Sequence, residues 1–110
     1  MNSEDLLVKR AVSGDKAACE QLVKKYQAYV LAIILNLTGD GCNTETIAQE
    51  VFLQMYISLP QYRFEGFRTW LGRIAVHKAI DWKRKQQRRQ AEERLLADRE
   101  RLAVQVEYGG

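Results

Sequence analysis

A single proline, Pro60, stands among the 110 residues of this chain, and seven glycines are the other residues that disfavour helix. Proline removes a backbone N–H donor and glycine loses the most conformational entropy on ordering, so long stretches without either residue allow long helices. Alanine, leucine, glutamine, glutamate, lysine and arginine are abundant, whereas runs of β-branched residues are scarce. The sequence therefore predicts an all-α fold.

With 46% apolar residues, the 110-residue chain can form one compact core but not two ordinary domains. We expect a compact bundle of three to four helices with a long basic last helix and a charged, helical C-terminal tail. Residues 1–90 are predicted to form the domain and residues 91–110 a linker or the start of one. The apolar run Tyr29–Leu37 is about half the ~20 residues that span a membrane, and the N-terminus lacks the order of a secretory signal. We expect a cytoplasmic protein without membrane insertion.

Local signals place the helices along the chain. The first is expected over Ser3–Val12 and the second over Lys16–Leu37, with Asp15 as the N-cap of the second because short carboxylates accept hydrogen bonds from free backbone N–H groups. The third is expected over Glu45–Ser58, and the fourth begins near Phe67. Apolar residues at steps of three or four then predict which side of each helix faces the core.

The core-facing stripes can be read from this periodicity. In the second helix the predicted stripe is Leu22, Tyr26, Val30, Ile33 and Leu37. In the fourth helix it is Phe67, Leu71, Ile74, Ala75 and Trp82. The polar stretch of residues 86–90 has no apolar anchor, so we expect the fourth helix to break there.

The third helix has two distinct faces at about 100° per residue. The predicted core face consists of Ile47, Val51, Phe52, Met55 and Leu59. The other face mixes polar and apolar residues: Thr46, Gln49, Glu50, Leu53 and Ile57. This second face suits the binding of a protein partner, and the alternative is a monomer surface that leaves single apolar residues in water.

Positive charge is confined to one block of the chain. Residues 63–89 contain nine Lys and Arg against two Asp and Glu, a net charge of +7, whereas residues 1–62 and residues 90–110 each carry −2. Solvated helix faces normally mix the two signs at helical spacing, and this block does not. The block therefore predicts a surface that binds a polyanion.

Aromatic residues accompany the basic block. Tyr62, Arg63 and Phe64 alternate rings with a cation in the loop after Pro60. Further along, one arc of the fourth helix contains Trp70, Arg73, His77, Arg84 and Arg88. Unstacked bases lie on aromatic rings at ~1–3 kcal/mol each while cations hold the phosphates, so this mixture favours single-stranded nucleic acid over intact duplex.

Catalytic and metal-binding patterns are not visible in the sequence. It has no Ser/His/Asp set, Cys/His dyad, paired carboxylates in a cleft or phosphate-cradling glycine loop. Cys19 and Cys42 lack metal-ligand spacing, and the single His77 cannot complete a zinc ligand set with them. We expect reduced thiols, no metal, no cofactor and no enzymatic activity.

Several segments together resemble region 2 of extracytoplasmic-function sigma factors over about residues 5–90. They are Gly14-Asp15 before a helix with Leu22 and Tyr26, ETIAQEVFL over residues 45–53, Tyr62, FRTWLGRIA over residues 67–75, and Asp81 before Arg84. The resemblance implies that the third helix docks on the β′ clamp helices of core RNA polymerase. It also implies that the following loop and helix melt and read the promoter −10 element.

The resemblance and the two surfaces described above yield two sets of candidate residues. The expected polymerase-binding residues are Thr46, Gln49, Glu50, Leu53 and Ile57. The residues expected to contact the single-stranded −10 non-template strand are Tyr62, Arg63, Phe64, Trp70, Arg73, His77, Lys83, Arg84 and Arg88. An inhibitory anti-sigma factor is a further expected partner.

Factors of this family also carry a second DNA-binding domain, region 4, and none follows residue 90. We therefore expect a shortened chain or a naturally split factor. Two other functions remain open: a helix-turn-helix regulator that binds duplex DNA, and a basic helical adaptor that binds only protein. A duplex reader would present a recognition helix after a tight turn, and an adaptor would lack salt-dependent affinity for nucleic acid.

Overall fold

The structure is a computed structural model that describes residues 2–39, 41 and 43–108, with side chains up to residue 103. In these ranges the regular elements are α1 (Ser3–Val12), α2 (Lys16–Thr38), α3 (Thr44–Ser58), a 3₁₀ turn (Leu59–Gln61) and α4 (Phe67–Tyr108). The all-α prediction is confirmed, and α1 to α3 begin and end within one residue of the predicted positions. Cys42, predicted to be a reduced thiol, lies outside the described residues.

Local hydrogen bonds determine where the first two helices begin and end. The Asn2 side chain accepts a hydrogen bond from the backbone N–H of Asp5 at 2.8 Å, and the Asp15 carboxylate accepts one from Ala18 at 3.3 Å. The predicted N-cap at Asp15 is thus confirmed. Helix α2 ends at Thr38, and the C-cap residue Gly39 has a left-handed φ of 65°, which a residue without a Cβ atom adopts at little cost.

The core lies between α1, α2, α3, the 3₁₀ turn and the first part of α4. Its fully buried large side chains are Val8, Leu22, Val30, Ile34, Ile47, Val51, Met55, Leu59 and Leu71. The core face predicted for α3 is confirmed, with Phe52 half-buried at its margin.

The last two residues of the predicted α2 stripe, Ile33 and Leu37, are not core residues. Ile34 is fully buried, whereas Ile33 and Leu37 are only half-buried. The stripe continues from Val30 in a step of four because contacts between helices commonly follow the ridge of residues four apart. The neighbouring Ile33 is thereby turned toward the side of α2 that faces a groove described below.

A hydrogen-bonded group connects α1 to α2. The carboxylate of Glu4 accepts hydrogen bonds from the Lys25 ammonium group and from the Tyr26 hydroxyl, the latter at 2.6 Å. The ring of Tyr26 is buried and its centroid lies 5.4 Å from that of Phe67 at the start of α4. Residues of three helices therefore meet at Tyr26.

The chain divides into two compact units, residues 1–80 and 81–110. Within the first unit, Phe67, Leu71, Ala75 and Ala79 of α4 are buried and Ile74 is half-buried. Within the second unit, Trp82 is half-buried, so its prediction as a core residue is wrong. The reason is that this part of the chain is a single helix, whose residues 87–103 are exposed. The predicted domain boundary at residue 90 stays a prediction.

The predicted break in α4 at residues 86–90 is wrong, since the helix runs without interruption from Phe67 to Tyr108. The stretch contains only glutamine and arginine, which are good helix formers, so the lack of an apolar anchor does not end the helix. The charged tail is helical, as predicted. No described helix is both long enough and apolar enough to cross a membrane.

Candidate nucleic-acid and polymerase interfaces

The loop between the 3₁₀ turn and α4 is organised around Tyr62, which is only 7% exposed. Its ring centroid lies 4.9 Å from Phe64, 5.7 Å from Phe67 and 4.9 Å from Trp70. Such tilted and edge-on ring pairs stabilise beyond the area that they bury. Tyr62 is therefore the centre of an aromatic cluster, and its predicted contact with a base stays a prediction.

Backbone geometry keeps this loop tight. The Tyr62 hydroxyl accepts a hydrogen bond from the backbone N–H of Gly66 at 3.2 Å. Gly66 has a φ of 112°, which favours glycine, and Phe64 has a φ of 59°, a conformation that costs a non-glycine residue ~1–2 kcal/mol. The tilted contact between the Phe64 and Tyr62 rings, worth ~0.5–1.5 kcal/mol, offsets part of that cost. Burial raises the pKa of Tyr62 above its ordinary value of 10.0, so its hydroxyl stays neutral.

A cleft of about 230 Å³ opens beside this cluster, and we refer to it as the aromatic cleft. Its lining residues are Gln61, Tyr62, Arg63, Glu65, Gly66, Thr69, Trp70 and Arg73. Trp70 is half-buried, while Arg63 and Arg73 are exposed. The cleft thus combines an aromatic wall with two guanidinium groups, which suits a flat base whose phosphates stay in solvent.

The other predicted DNA-contacting residues differ in where they lie. Phe64 is 37% exposed, and His77 is exposed on α4, two helical turns beyond Trp70. Lys83, Arg84 and Arg88 belong to the second unit, where all three are exposed. The structure brings Tyr62, Arg63, Trp70 and Arg73 together in one cleft, and DNA contact by the whole set stays a prediction.

Tyr29 on α2 was not singled out by the sequence analysis, although it lies beside the predicted DNA surface. Its hydroxyl donates a hydrogen bond to the backbone carbonyl of Arg68 at 3.4 Å, and the Arg68 guanidinium lies 4.5 Å from the ring centroid. A glycine inside a helix, Gly72, was the available sequence signal that another group approaches α4 closely.

The second face of α3 points away from the core. Thr46, Gln49 and Glu50 are exposed, and Leu53 and Ile57 are each 61% exposed. Two large apolar side chains left in water beside a carboxylate form a surface of the kind that binds another protein. Their contact with polymerase stays a prediction.

Among the residues that the structure describes, no group of three or more His, Cys, Asp or Glu side chains is placed to hold a metal ion. Cys19 is a half-buried free thiol, and burial raises its pKa above the ordinary value of 9.0. A thiol that stays protonated is a weak nucleophile and a weak metal ligand.

Among curated proteins, the chain is similar in sequence to bacterial sigma factors. The chain is 40% identical over 74 residues to the RNA polymerase sigma-H factor of Pseudomonas aeruginosa, which covers 66% of this chain and 38% of that protein. It is 35% identical over 97 residues to the ECF RNA polymerase sigma-E factor of Haemophilus influenzae, which covers 87% of this chain and 51% of that protein. The chain thus spans about half the length of these relatives or less.

Two solved structures share the fold. An engineered region 2 of sigmaE, solved by NMR in complex with GTAAAA, superposes with a TM-score of 0.74 at 32% identity, covering 80% of this chain and 93% of that chain. CnrH, in complex with the cytosolic domain of CnrY, superposes with a TM-score of 0.68 at 23% identity, covering 73% of this chain and 53% of that chain, and supports the fold alone.

The family model of Sigma-70 region 2 matches residues 22–89, which include α3, the aromatic cleft and the basic part of α4. This match, the sigma-E relatives and the sigmaE region 2 structure agree with the resemblance seen in the sequence. The chain therefore belongs to the Sigma-70 region 2 family, as a region 2 domain of the extracytoplasmic-function type.

Proposed function

We propose that this domain acts in an alternative sigma factor: it binds core RNA polymerase, recognises the promoter −10 element and stabilises it in melted form. The aromatic cleft, with Tyr62 and Trp70 on its wall and Arg63 and Arg73 at its rim, is the observation that carries this proposal. The engineered sigmaE region 2 that shares 32% identity was solved with GTAAAA. We expect the present cleft to take a base from a strand of the same kind.

The cleft favours melting because of what fits inside it. A base stacked and paired within a duplex cannot enter a cleft of about 230 Å³ between side chains, so it must first leave the stack. Trp70 then replaces part of the lost stacking, and the guanidinium groups of Arg63 and Arg73 bind neighbouring phosphates. Phosphate contacts can form with either DNA form, but stacking on Trp70 requires an unstacked base, so this contact shifts the opening equilibrium by differential affinity. The domain needs no catalytic residue of its own, because polymerase carries out the bond chemistry.

Polymerase binding is assigned to the exposed face of α3. The face carries Glu50 between exposed polar residues and the 61% exposed side chains of Leu53 and Ile57, none of which the core requires. A helix with one buried and one exposed apolar face suits docking on other helices, and the β′ clamp helices are the proposed partner. An anti-sigma factor that covered this face or the cleft would block the same contacts. These partners place the proposed activity in the cytoplasm.

Equilibrium binding of fluorescent oligonucleotides tests the DNA part of the proposal. At equal salt, the domain is expected to bind a single strand containing GTAAAA more tightly than the matching duplex. Trp70→Ala should remove that preference and leave the salt slope, because phosphate contacts determine the slope and stacking does not. Arg73→Gln should reduce the slope by about 0.7 and keep the preference.

Lys24→Gln is the matched control, because Lys24 is an exposed cation of α2 outside the cleft lining. It should change neither the preference nor the slope. Equal affinity of the unmodified domain for both DNA forms would contradict melting. Tighter binding of the duplex would favour a duplex-binding regulator, and absence of salt-dependent binding would favour an adaptor that binds only protein.

A further inference from the structure

We propose that a second groove, between α2 and α4, binds another base of the same single strand, with Tyr29 as a DNA-contacting residue. We refer to it as the Tyr29 groove. The inference rests on the proposed function, because it requires that the aromatic cleft binds single-stranded DNA. It adds a second base-binding position and a residue outside the loop and helix to which the sequence assigns recognition.

The Tyr29 groove adjoins the aromatic cleft. It has a volume of about 310 Å³ and is lined by Tyr29 and Ile33 from α2 and by residues of α4 that include Gly72 and Val76. Thr69 and Arg73 line both the groove and the aromatic cleft. A strand with one base in the cleft therefore passes Arg73 directly before it reaches the groove.

Specific contacts hold the Tyr29 ring in the groove. Arg68 covers the ring, with its guanidinium 4.5 Å from the centroid, and the Arg68 carbonyl accepts the hydroxyl hydrogen bond at 3.4 Å. The hydroxyl occupies the space that any side chain at position 72 would need, because a Cβ atom there would lie 2.5 Å from it. Glycine is unfavourable inside a helix, yet here it admits a tyrosine from a neighbouring helix.

The charge and polarity of the groove suit a nucleotide. Ile33 and Val76 are half-buried apolar side chains, and Tyr29 supplies an aromatic edge, so the interior accepts the flat, apolar faces of a base. Arg73 and His77 are exposed at its margin, where a phosphate and the polar edge of a base would lie. None of the described lining residues is acidic, so nothing in the groove repels the DNA backbone.

Base-by-base removal in the oligonucleotide tests the inference. Strands containing GTAAAA are made with one abasic site at each position in turn and titrated against the unmodified domain, Tyr29→Ala and Trp70→Ala. The unmodified domain should lose affinity roughly 5- to 100-fold at two positions, the range expected when a base loses one aromatic partner. In Tyr29→Ala, an abasic site at one of these positions should no longer reduce affinity. In Trp70→Ala, the same should hold for the other position.

The control is Tyr56→Ala, which removes an aromatic ring that is 57% exposed on α3. It should keep both sensitive positions. Gly72→Ala supplies an independent variant: its added methyl group displaces the Tyr29 hydroxyl, and it should weaken the same position as Tyr29→Ala without truncating an aromatic side chain.

The outcomes separate the two proposals. If the unmodified domain does not bind the single strand, the proposed DNA binding itself fails. If it binds with one sensitive position that Tyr29→Ala does not alter, the aromatic cleft stands and the Tyr29 groove is overturned. An equal loss at every position in Tyr29→Ala would show a purely structural role for Tyr29, and it would also overturn the inference.

Discussion

The hydroxyl oxygen of Tyr29 lies 2.5 Å from the point where a Cβ atom on residue 72 would stand. The tyrosine Cζ atom is 3.5 Å from that point, an ordinary contact, so the conflict is confined to the hydroxyl group. A side chain at position 72 would therefore have to displace one oxygen atom on another helix. This relationship can be measured by stability alone, without any ligand.

Gly72→Ala should leave stability nearly unchanged when Tyr29 is present. Alanine is favoured over glycine in a helix interior by ~1 kcal/mol, but here the displaced hydroxyl offsets the gain. In a Tyr29→Phe background the conflict is absent, so the same substitution should stabilise the domain by about 1 kcal/mol. Urea unfolding followed by circular dichroism measures both. Equal gains in the two backgrounds would mean that Tyr29 does not occupy this space.

Tyr62→Phe should weaken the loop without dismantling the aromatic cluster. The substitution keeps the buried ring and removes the hydroxyl that accepts the Gly66 hydrogen bond at 3.2 Å. The free energy of unfolding is expected to fall by about 1 kcal/mol. Tyr62→Ala, which also loses the ring contacts, should cost ~3–5 kcal/mol. Thermal and urea unfolding give both values, and a Phe variant as unstable as the Ala variant would disprove a role specific to the hydroxyl.

Glu50→Arg should abolish binding to core RNA polymerase while the fold is retained. Because Glu50 is exposed on the face of α3 opposite the core, its replacement should change the free energy of unfolding by less than ~0.5 kcal/mol. Glu20→Arg makes the same change of charge at an exposed site on α2 and should still bind. Capture of purified core polymerase on immobilised domain is the measurement. Full binding by the Glu50 variant would contradict docking of polymerase on this face of α3.

Glu4→Gln should flatten the dependence of stability on acidic pH. Burial raises the pKa of Glu4, but hydrogen bonds from Lys25 and Tyr26 outweigh it, and the folded pKa lies below the ordinary 4.5. The stabilisation by Glu4 is therefore complete above about pH 4.5 and is lost as pH falls through the folded pKa. Melting temperatures between pH 7 and pH 3 should fall less steeply for Glu4→Gln. Identical slopes for both proteins would show that Glu4 does not connect α1 to α2 in solution.

The bounds of α1 to α3 were predictable because the signals that begin and end these helices are local. Asp15 caps α2 through a bond to Ala18, three residues away, and Pro60 lies in the 3₁₀ turn that follows α3. The two faces of α3 followed from helical periodicity in the same way. Such information lies within one or two turns of chain and requires no knowledge of the tertiary structure.

Features that depend on a partner distant in sequence were not predictable. Ile33 and Ile34 lie three and four residues after Val30, so either fits the helical periodicity of the α2 core face. Which of them is buried depends on how the neighbouring helices pack against α2. Tyr62 was predicted as a loop residue that contacts DNA, and its burial depends on rings from α4. Tyr29 is positioned by Arg68 and Gly72, which both lie on another helix. The sequence thus predicted the loop and α4 residues that line the aromatic cleft, whereas it did not indicate that Tyr29 of α2 lines the neighbouring groove.

For the proposed function, the burial of Tyr62 has a consequence for the kinetics of promoter opening. A loop that becomes ordered only on binding must lose conformational entropy at that moment, which slows association and weakens affinity. Here the ring contacts and the Gly66 hydrogen bond order the aromatic cleft during folding, before any strand arrives. Association should therefore need no rearrangement of the loop, and the temperature dependence of opening should report the unstacking of DNA rather than a transition in the protein.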